Sequence, residues 1–115
     1  MPSRGREGHI DPGRERADVV PGSRGRSTCA EPVLRLVDRH AAACHLSVAH
    51  DEPYRGGFST SNYGRPRERV HAIQIELARR LYMDEQALTK KPREFDSLRK
   101  FCRTVTQALG ELSLV

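Results

Sequence analysis

A chain of 115 residues is long enough for one small domain, and an apolar content of 37% with 5% aromatic residues and no Trp indicates a modest core. Its 20 basic and 15 acidic residues give a net charge of +5, but these charges are spread along the whole chain, which favours a solvated surface over a nucleic-acid interface. No apolar run is long enough for a secretory signal or a membrane helix, so the sequence predicts a cytoplasmic protein that binds neither nucleic acid nor a membrane.

The first 27 residues are rich in Gly, Pro and Arg and contain no aromatic residue. Such a composition buries too little apolar surface to offset the entropy of ordering, so residues 1–27 are predicted to be a disordered segment that precedes one domain, 28–115. The short stretch 17–20 is the exception, because it could be the end of a strand.

An amphipathic helix is predicted over about 30–44, where apolar residues recur at helical spacing. A short strand follows at 46–50, and the Gly, Pro, Asn and Ser content of 51–64 predicts an ordered loop of the kind that often carries function. Gly56 and Gly57 indicate a tight turn in this loop, because no helix is predicted after them and their spacing fits neither a P-loop nor a dinucleotide-binding loop.

Alternating residues over 70–78 predict a second strand. The alternation places Ile73 and Ile75 on one face and Gln74 and Glu76 on the other. An amide and a carboxylate side by side could orient a water molecule and take its proton. From spacing alone, a carboxylate at the solvated end of a half-buried strand is the more common outcome.

A one-turn helix is predicted at 84–88, and a clean apolar stripe predicts a terminal helix over about 93–112. Two strands joined through helices and loops indicate an α/β fold. Two strands are also too few for a stable sheet, so the fold is expected to be a fragment, with room for a partner chain that completes the sheet.

Neither the cysteines nor the histidines predict a metal site. Cys29, Cys44 and Cys102 are odd in number and widely spaced, which argues against a disulfide framework and a zinc ribbon and favours reduced, partly buried thiols. The five histidines lack the spacing of zinc ligands, and they are His9, His40, His45, His50 and His71. A hydrogen-bonded core position is the commoner outcome for a histidine such as His71, on the apolar strand face.

Four segments resemble, in order and spacing, the C-terminal signature of the N-formylglutamate amidohydrolase family. They are Asp51-Glu-Pro-Tyr-Arg-Gly-Gly-Phe58, Tyr63-Gly-Arg-Pro66, Val70-His-Ala-Ile-Gln-Ile-Glu-Leu77 and Leu81-Tyr-Met-Asp-Glu85. The similarity continues weakly upstream to about Ala17 and downstream through the last helix. The resemblance implies a fragment of a mixed sheet flanked by helices, similar to the zinc carboxypeptidases.

The resemblance also implies a reaction, the hydrolysis of N-formyl-L-glutamate to formate and L-glutamate at the end of histidine degradation. Family members use zinc to polarise the formyl carbonyl, with metal ligands mainly from an N-terminal half that has no counterpart here, so no metal ligand is assigned in this chain. Glu76 matches the position best suited to a catalytic general base. The residues expected to bind a small acylated amino acid are Arg55, Gly56, Gly57, Arg65 and Gln74.

Two residues depart from the family pattern. Asp51 stands where the family has Asn, and Ser61 stands where an Arg is common. Since an Arg could pair bidentately with a substrate carboxylate, Arg55 and Arg65 are the arginines left to compensate. There are two alternatives to a fragment of a deformylase. One is a noncatalytic remnant or interaction module. The other is a basic RNA-associated protein, which only the Arg content supports.

Overall fold

The strand predicted to carry the chemistry belongs to a two-stranded antiparallel sheet. In the computed structural model, which describes residues 1–114, β1 (Val19–Gly22) pairs with β2 (Gln74–Leu77) so that Val19 lies opposite Leu77. The predicted strand at 70–78 is therefore confirmed over its second half. The strand predicted at 46–50 is reduced to one parallel bridge between Val48 and Val19, on the other edge of β1.

Two helices cover one face of this sheet. They are α1 (Glu31–Ala43) and α3 (Pro92–Glu111), each with a Pro in its first turn, and both agree with the predicted helices within two residues. The core between the helices and the sheet contains Val19, Leu36, Val37, Ala41, Phe101 and Val105, and Ile73, Ile75 and Leu77 pack against it. No helix among residues 1–114 is both long and apolar enough to cross a membrane.

The one-turn helix predicted at 84–88 is wrong. The chain instead forms a small hairpin of β3 (Met83–Asp84) and β4 (Thr89–Lys90). The Asp84 carboxylate accepts hydrogen bonds from the backbone N–H groups of Gln86 and Ala87, at 2.9 and 3.0 Å. An Asp that bonds its own following backbone favours a turn over a helix.

The loop predicted at 51–64 contains a helix that was not predicted. This helix, α2 (Phe58–Tyr63), begins directly after Gly57. The expectation that no helix follows the two glycines is therefore wrong, although the turn at Gly56 has the positive φ of 99° that favours glycine.

The predicted disorder of residues 1–27 is not confirmed, because this segment contains β1 and the residues before it make long-range contacts. The Met1 ammonium group donates to the Leu77 carbonyl at 2.7 Å. The Arg16 side chain is only 2% exposed and makes two hydrogen bonds, at 2.9 and 2.8 Å, to the Asp11 carboxylate. Low apolar content suggested disorder, whereas the burial of Val19 and Val20 together with polar and backbone hydrogen bonds supplies the ordering.

Asp18 connects the start of β1 to two distant segments. Its carboxylate accepts from the Arg80 guanidinium at 2.7 Å and from the Ser47 backbone N–H at 2.9 Å. Burial alone would raise the pKa of Asp18, but these hydrogen bonds outweigh burial and hold the pKa below its usual value. A lowered folded-state pKa gives stability that is present above pH 4 or so and is lost as pH falls through the folded pKa.

Asp18→Asn is therefore expected to lower the free energy of unfolding by about 1–2 kcal/mol at pH 7, with the difference shrinking in acid. Urea unfolding at pH 7 and pH 3 measures both values. The matched control is Asp96→Asn, since Asp96 pairs with Arg99 and Lys100 on the exposed side of α3 and its loss should change stability little. Equal effects of the two substitutions at pH 7 would contradict the role given to Asp18.

Candidate active site

Gln74 connects the loop that contains Gly56 and Gly57, here called the glycine loop, to Glu76. Its amide oxygen accepts a hydrogen bond from the Gly57 N–H at 2.9 Å, and its amide nitrogen donates to Glu76 Oε1 at 2.7 Å. Because the oxygen is taken by a backbone donor, the nitrogen must face the carboxylate. The second oxygen of Glu76 receives no hydrogen bond within residues 1–114, so it is available to accept a proton.

Glycines allow the loop to lie against the sheet. A Cβ on Gly22 would lie 2.5 Å from the backbone nitrogen of Gly56, and a Cβ on Gly57 would lie 3.3 Å from the Gln74 amide oxygen. Gly22 ends β1 and pairs with Gln74 at the start of β2. The end of β1, the loop and the start of β2 therefore meet at backbone contact distance.

Asp51 holds a second loop, residues 23–25, against the glycine loop. Its carboxylate accepts from the backbone N–H groups of Ser23 and Gly25, both at 2.9 Å. Between them, Arg24 donates its backbone N–H to the Arg55 carbonyl at 2.8 Å and its guanidinium to the Gly56 carbonyl at 3.0 Å. Asp51 thus fixes the position of the loop that carries Arg24 against the glycine loop.

Sequence reasoning missed Ser23, Gly25 and Arg24, because they lie in the segment predicted to be disordered. The sequence contains a signal for this turn: Pro21 follows the apolar pair Val19-Val20, and two glycines then flank Ser23-Arg24, as expected for a strand that ends in a turn. Asp51 was noted only as a departure from the family pattern, and the structure gives its carboxylate two backbone donors.

The structure brings most of the predicted site residues together, with Arg65 as the exception. Gly57, Gln74 and Glu76 form one hydrogen-bonded series. Arg55 and Gly56 precede Gly57 in the same loop, and their carbonyls accept hydrogen bonds from Arg24. Arg55 lines a cavity of about 350 Å³ between the N-terminal segment and the residues around Glu52. Arg65 lies apart, 3.6 Å from Glu68 and with 60% of its side chain exposed.

Histidines do not converge on a metal site in the described part of the chain. His71 accepts the Ala30 N–H at the start of α1 at 3.0 Å, and His50 lies 2.8 Å from the Asp38 carboxylate. Among residues 1–114, no three His, Cys, Asp or Glu side chains meet in a group that could hold a metal ion. The residues present therefore do not fit the zinc that the resemblance implies.

The three cysteines are free thiols in two environments. Cys29 is 3% exposed beside Val33 and Leu34, whereas Cys44 and Cys102 are exposed. Burial, together with the nearby Glu31 carboxylate, raises the pKa of Cys29 to about 11.

Cys29 is expected to resist alkylation in the folded protein. A thiol with a pKa of about 11 is only about 10⁻³ ionised at pH 8, and the thiolate is the reactive species. Treatment with iodoacetamide followed by peptide mass analysis should show Cys44 modified first and Cys29 last, while all three react in urea. Equal rates for Cys29 and Cys44 without urea would contradict this burial.

Comparisons with known proteins identify the family of this chain. The family model for N-formylglutamate amidohydrolase matches residues 1–83. The N-formylglutamate deformylase of Pseudomonas aeruginosa is 43% identical over 68 residues, 57% of this chain and 25% of that protein. The Pseudomonas putida deformylase is 40% identical over 57 residues, 48% of this chain and 21% of that protein.

A crystal structure of an N-formylglutamate amidohydrolase from Ralstonia eutropha JMP134 superposes with a TM-score of 0.78 and 33% sequence identity. The match covers 89% of this chain but 36% of that one, so the chain spans about a third of the solved relative. The mixed α/β arrangement is shared over this part. Since the family model matches well over half of the residues, this chain belongs to the N-formylglutamate amidohydrolase family.

Proposed function

We propose that this chain supplies the Glu76-bearing part of a cytoplasmic N-formylglutamate deformylase, which hydrolyses the formamide C–N bond of N-formyl-L-glutamate. The observation that carries the proposal is the hydrogen-bonded series from Gly57 through Gln74 to Glu76. An oriented carboxylate with one free oxygen is what a general base requires.

Glu76 acts as the base that takes a proton from the attacking water. The water oxygen bonds to the formyl carbon, the C–N bond breaks, and the proton held by Glu76 passes to the departing amine nitrogen. Gln74 keeps the carboxylate in position through its 2.7 Å hydrogen bond. The products are formate and L-glutamate, so the atoms of substrate and water are conserved.

Arg55 is the better placed of the two arginines to bind a substrate carboxylate. Its carbonyl accepts a hydrogen bond from the Arg24 backbone N–H, and Arg55 lines the cavity beside Glu52. Gly56 and Gly57 would allow the substrate to approach the backbone closely. A binding role for Arg65 stays a prediction, and its place beside Glu68 does not favour it.

Zinc is proposed for the assembled enzyme only, with ligands from outside this chain, because the described residues do not provide a donor set. A noncatalytic interaction module is the second candidate. The observation that favours it is coverage, since the chain spans 25% and 21% of the two curated relatives.

A fusion tests the proposal. The part of the Ralstonia eutropha enzyme that lies outside the structural match is joined in front of Met1, and formate release from N-formyl-L-glutamate is measured in the presence of zinc. Release of formate is expected from the fusion. A folded, zinc-loaded fusion that releases none would favour the noncatalytic module, and full activity of the unfused chain would show that it needs no second part.

A further inference from the structure

We infer that the outer edge of β2 binds a parallel strand from the part of the amidohydrolase fold that this chain does not span. The inference rests on the proposed function, since it names the surface on which that second part would assemble. The proposed occupant is one extended segment of that fold, with apolar side chains on the side that faces α3.

The hydrogen-bonding pattern of the sheet leaves this edge open. Val19 lies opposite Leu77, and Pro21 lies opposite Ile75. The backbone groups of Val19 bond to the segment on the other side of β1, and Pro21 has no N–H, so neither residue donates to β2. In an antiparallel pair, opposite residues that do not bond to each other direct their backbone groups away from the partner strand. The N–H and C=O groups of Ile75 and the N–H of Leu77 therefore face outward, with no partner within residues 1–114.

Met1 shows the direction in which a strand fits here. Its ammonium group donates to the Leu77 carbonyl at 2.7 Å, and its carbonyl accepts from the Arg79 N–H at 2.8 Å. Bonds to the residues before and after Ala78 are the pattern of a parallel strand. Extended upstream, the same pattern would place the next acceptor and donor at the Ile75 carbonyl and the Leu77 N–H.

An apolar groove lies beside the open edge. It has a volume of about 320 Å³ and is lined by Met1, Ile75, Leu77, Tyr82, Phe95, Leu98, Arg99 and Cys102. Phe95 is 39% exposed although its ring stacks edge-to-face with Tyr82. A strand on this edge would direct alternate side chains into the groove and cover these apolar groups.

A second copy of this chain fits the edge less well. Two copies related by a two-fold axis perpendicular to a sheet pair their edge strands antiparallel, whereas the Met1 contacts are parallel. Each copy also carries a net charge of +5, which opposes association. The solved relative, by contrast, contains nearly two thirds of its chain outside the match, which covers 36% of it.

Amide hydrogen exchange of the unfused chain tests whether the edge is open. The N–H groups of Ile75 and Leu77 should exchange at least about tenfold faster than those of Gln74 and Glu76, which bond to β1. Equal protection of all four amides would overturn the inference. Protection of Ile75 that appears only at high protein concentration would also overturn it, because a second copy would then be the occupant.

The fusion described above tests the occupant. Ile75 and Leu77 should become protected in it by at least about tenfold. Cys102→Arg, which fills the groove, should remove this protection, while Thr104→Arg, at an exposed position of α3, should leave it unchanged. No gain in protection, or an equal response to the two arginine substitutions, would overturn the inference.

The fusion distinguishes failure of the deformylase proposal from failure of strand docking. Protection of Ile75 and Leu77 in a fusion that releases no formate would support strand docking and contradict the deformylase. Formate release with the exchange of both amides unchanged would support the deformylase and overturn strand docking.

Discussion

Replacing Glu76 by Gln in the active fusion is expected to lower kcat for formate release by about 10²–10⁴-fold, the usual contribution of a general base. A carboxamide cannot take the proton of the attacking water. Gln has nearly the same volume, and its oxygen can still accept the hydrogen bond from Gln74, so the strand and its pairing with β1 should persist. Steady-state formate release and zinc content, measured on the same preparation, separate lost chemistry from lost metal.

Glu68→Gln is the matched control, because it makes the same chemical change at a carboxylate whose side chain is 65% exposed beside Arg65. The control should retain full activity. If Glu76→Gln also retained it, Glu76 would be an ordinary carboxylate on a half-buried strand. If both variants lost activity equally, the cause would be overall charge rather than a proton transfer at Glu76.

Local periodicity was enough to predict the two long helices and the faces of β2. Apolar residues at helical spacing define α1 and α3, and a Pro in the first turn of each fits the start of a helix. In β2, the two-residue period correctly separates Ile75, packed against the core, from Gln74 and Glu76, which are bonded to each other.

Order in the N-terminal segment could not be predicted from composition. It depends on partners far away in sequence, such as the Glu85 carboxylate, which accepts from the Ser3 N–H at 3.3 and 3.2 Å. Arg80 likewise bonds the Arg16 carbonyl at 2.9 Å. Each contact joins positions more than 60 residues apart, and no local pattern specifies such a pair.

The candidate site, too, could be predicted only in part from the sequence. The neighbouring Gln74 and Glu76 follow from strand alternation. The hydrogen bond between Gly57 and Gln74 joins two of the motifs that carry the family resemblance. The bonds from Ser23 and Gly25 to Asp51 span 28 and 26 positions. Asp51 also has a positive φ of 59°, which the residue types around it do not indicate.

Gly22→Ala is expected to destabilise the protein by roughly 3 kcal/mol, at the upper end of the usual cost of overpacking. The new Cβ would lie 2.5 Å from the Gly56 nitrogen and 2.8 Å from the Arg55 carbonyl carbon. Both are backbone atoms, so no side-chain rotation can relieve the contact. The glycine loop would have to move away from β1, and the Gly57 bond to Gln74 should weaken with it.

Gly110→Ala is the matched control, because it adds the same methyl group in α3, where no atom beyond the neighbouring backbone of the helix lies within 4 Å of the new Cβ. Since Ala is the better helix former, this variant should be more stable by about 0.5–1 kcal/mol at most. Urea unfolding of both variants measures the opposite signs. Gly22→Ala as stable as the unsubstituted protein would show that the loop tolerates separation from β1, and the close approach at Gly22 would then have no part in holding Gln74 against Glu76.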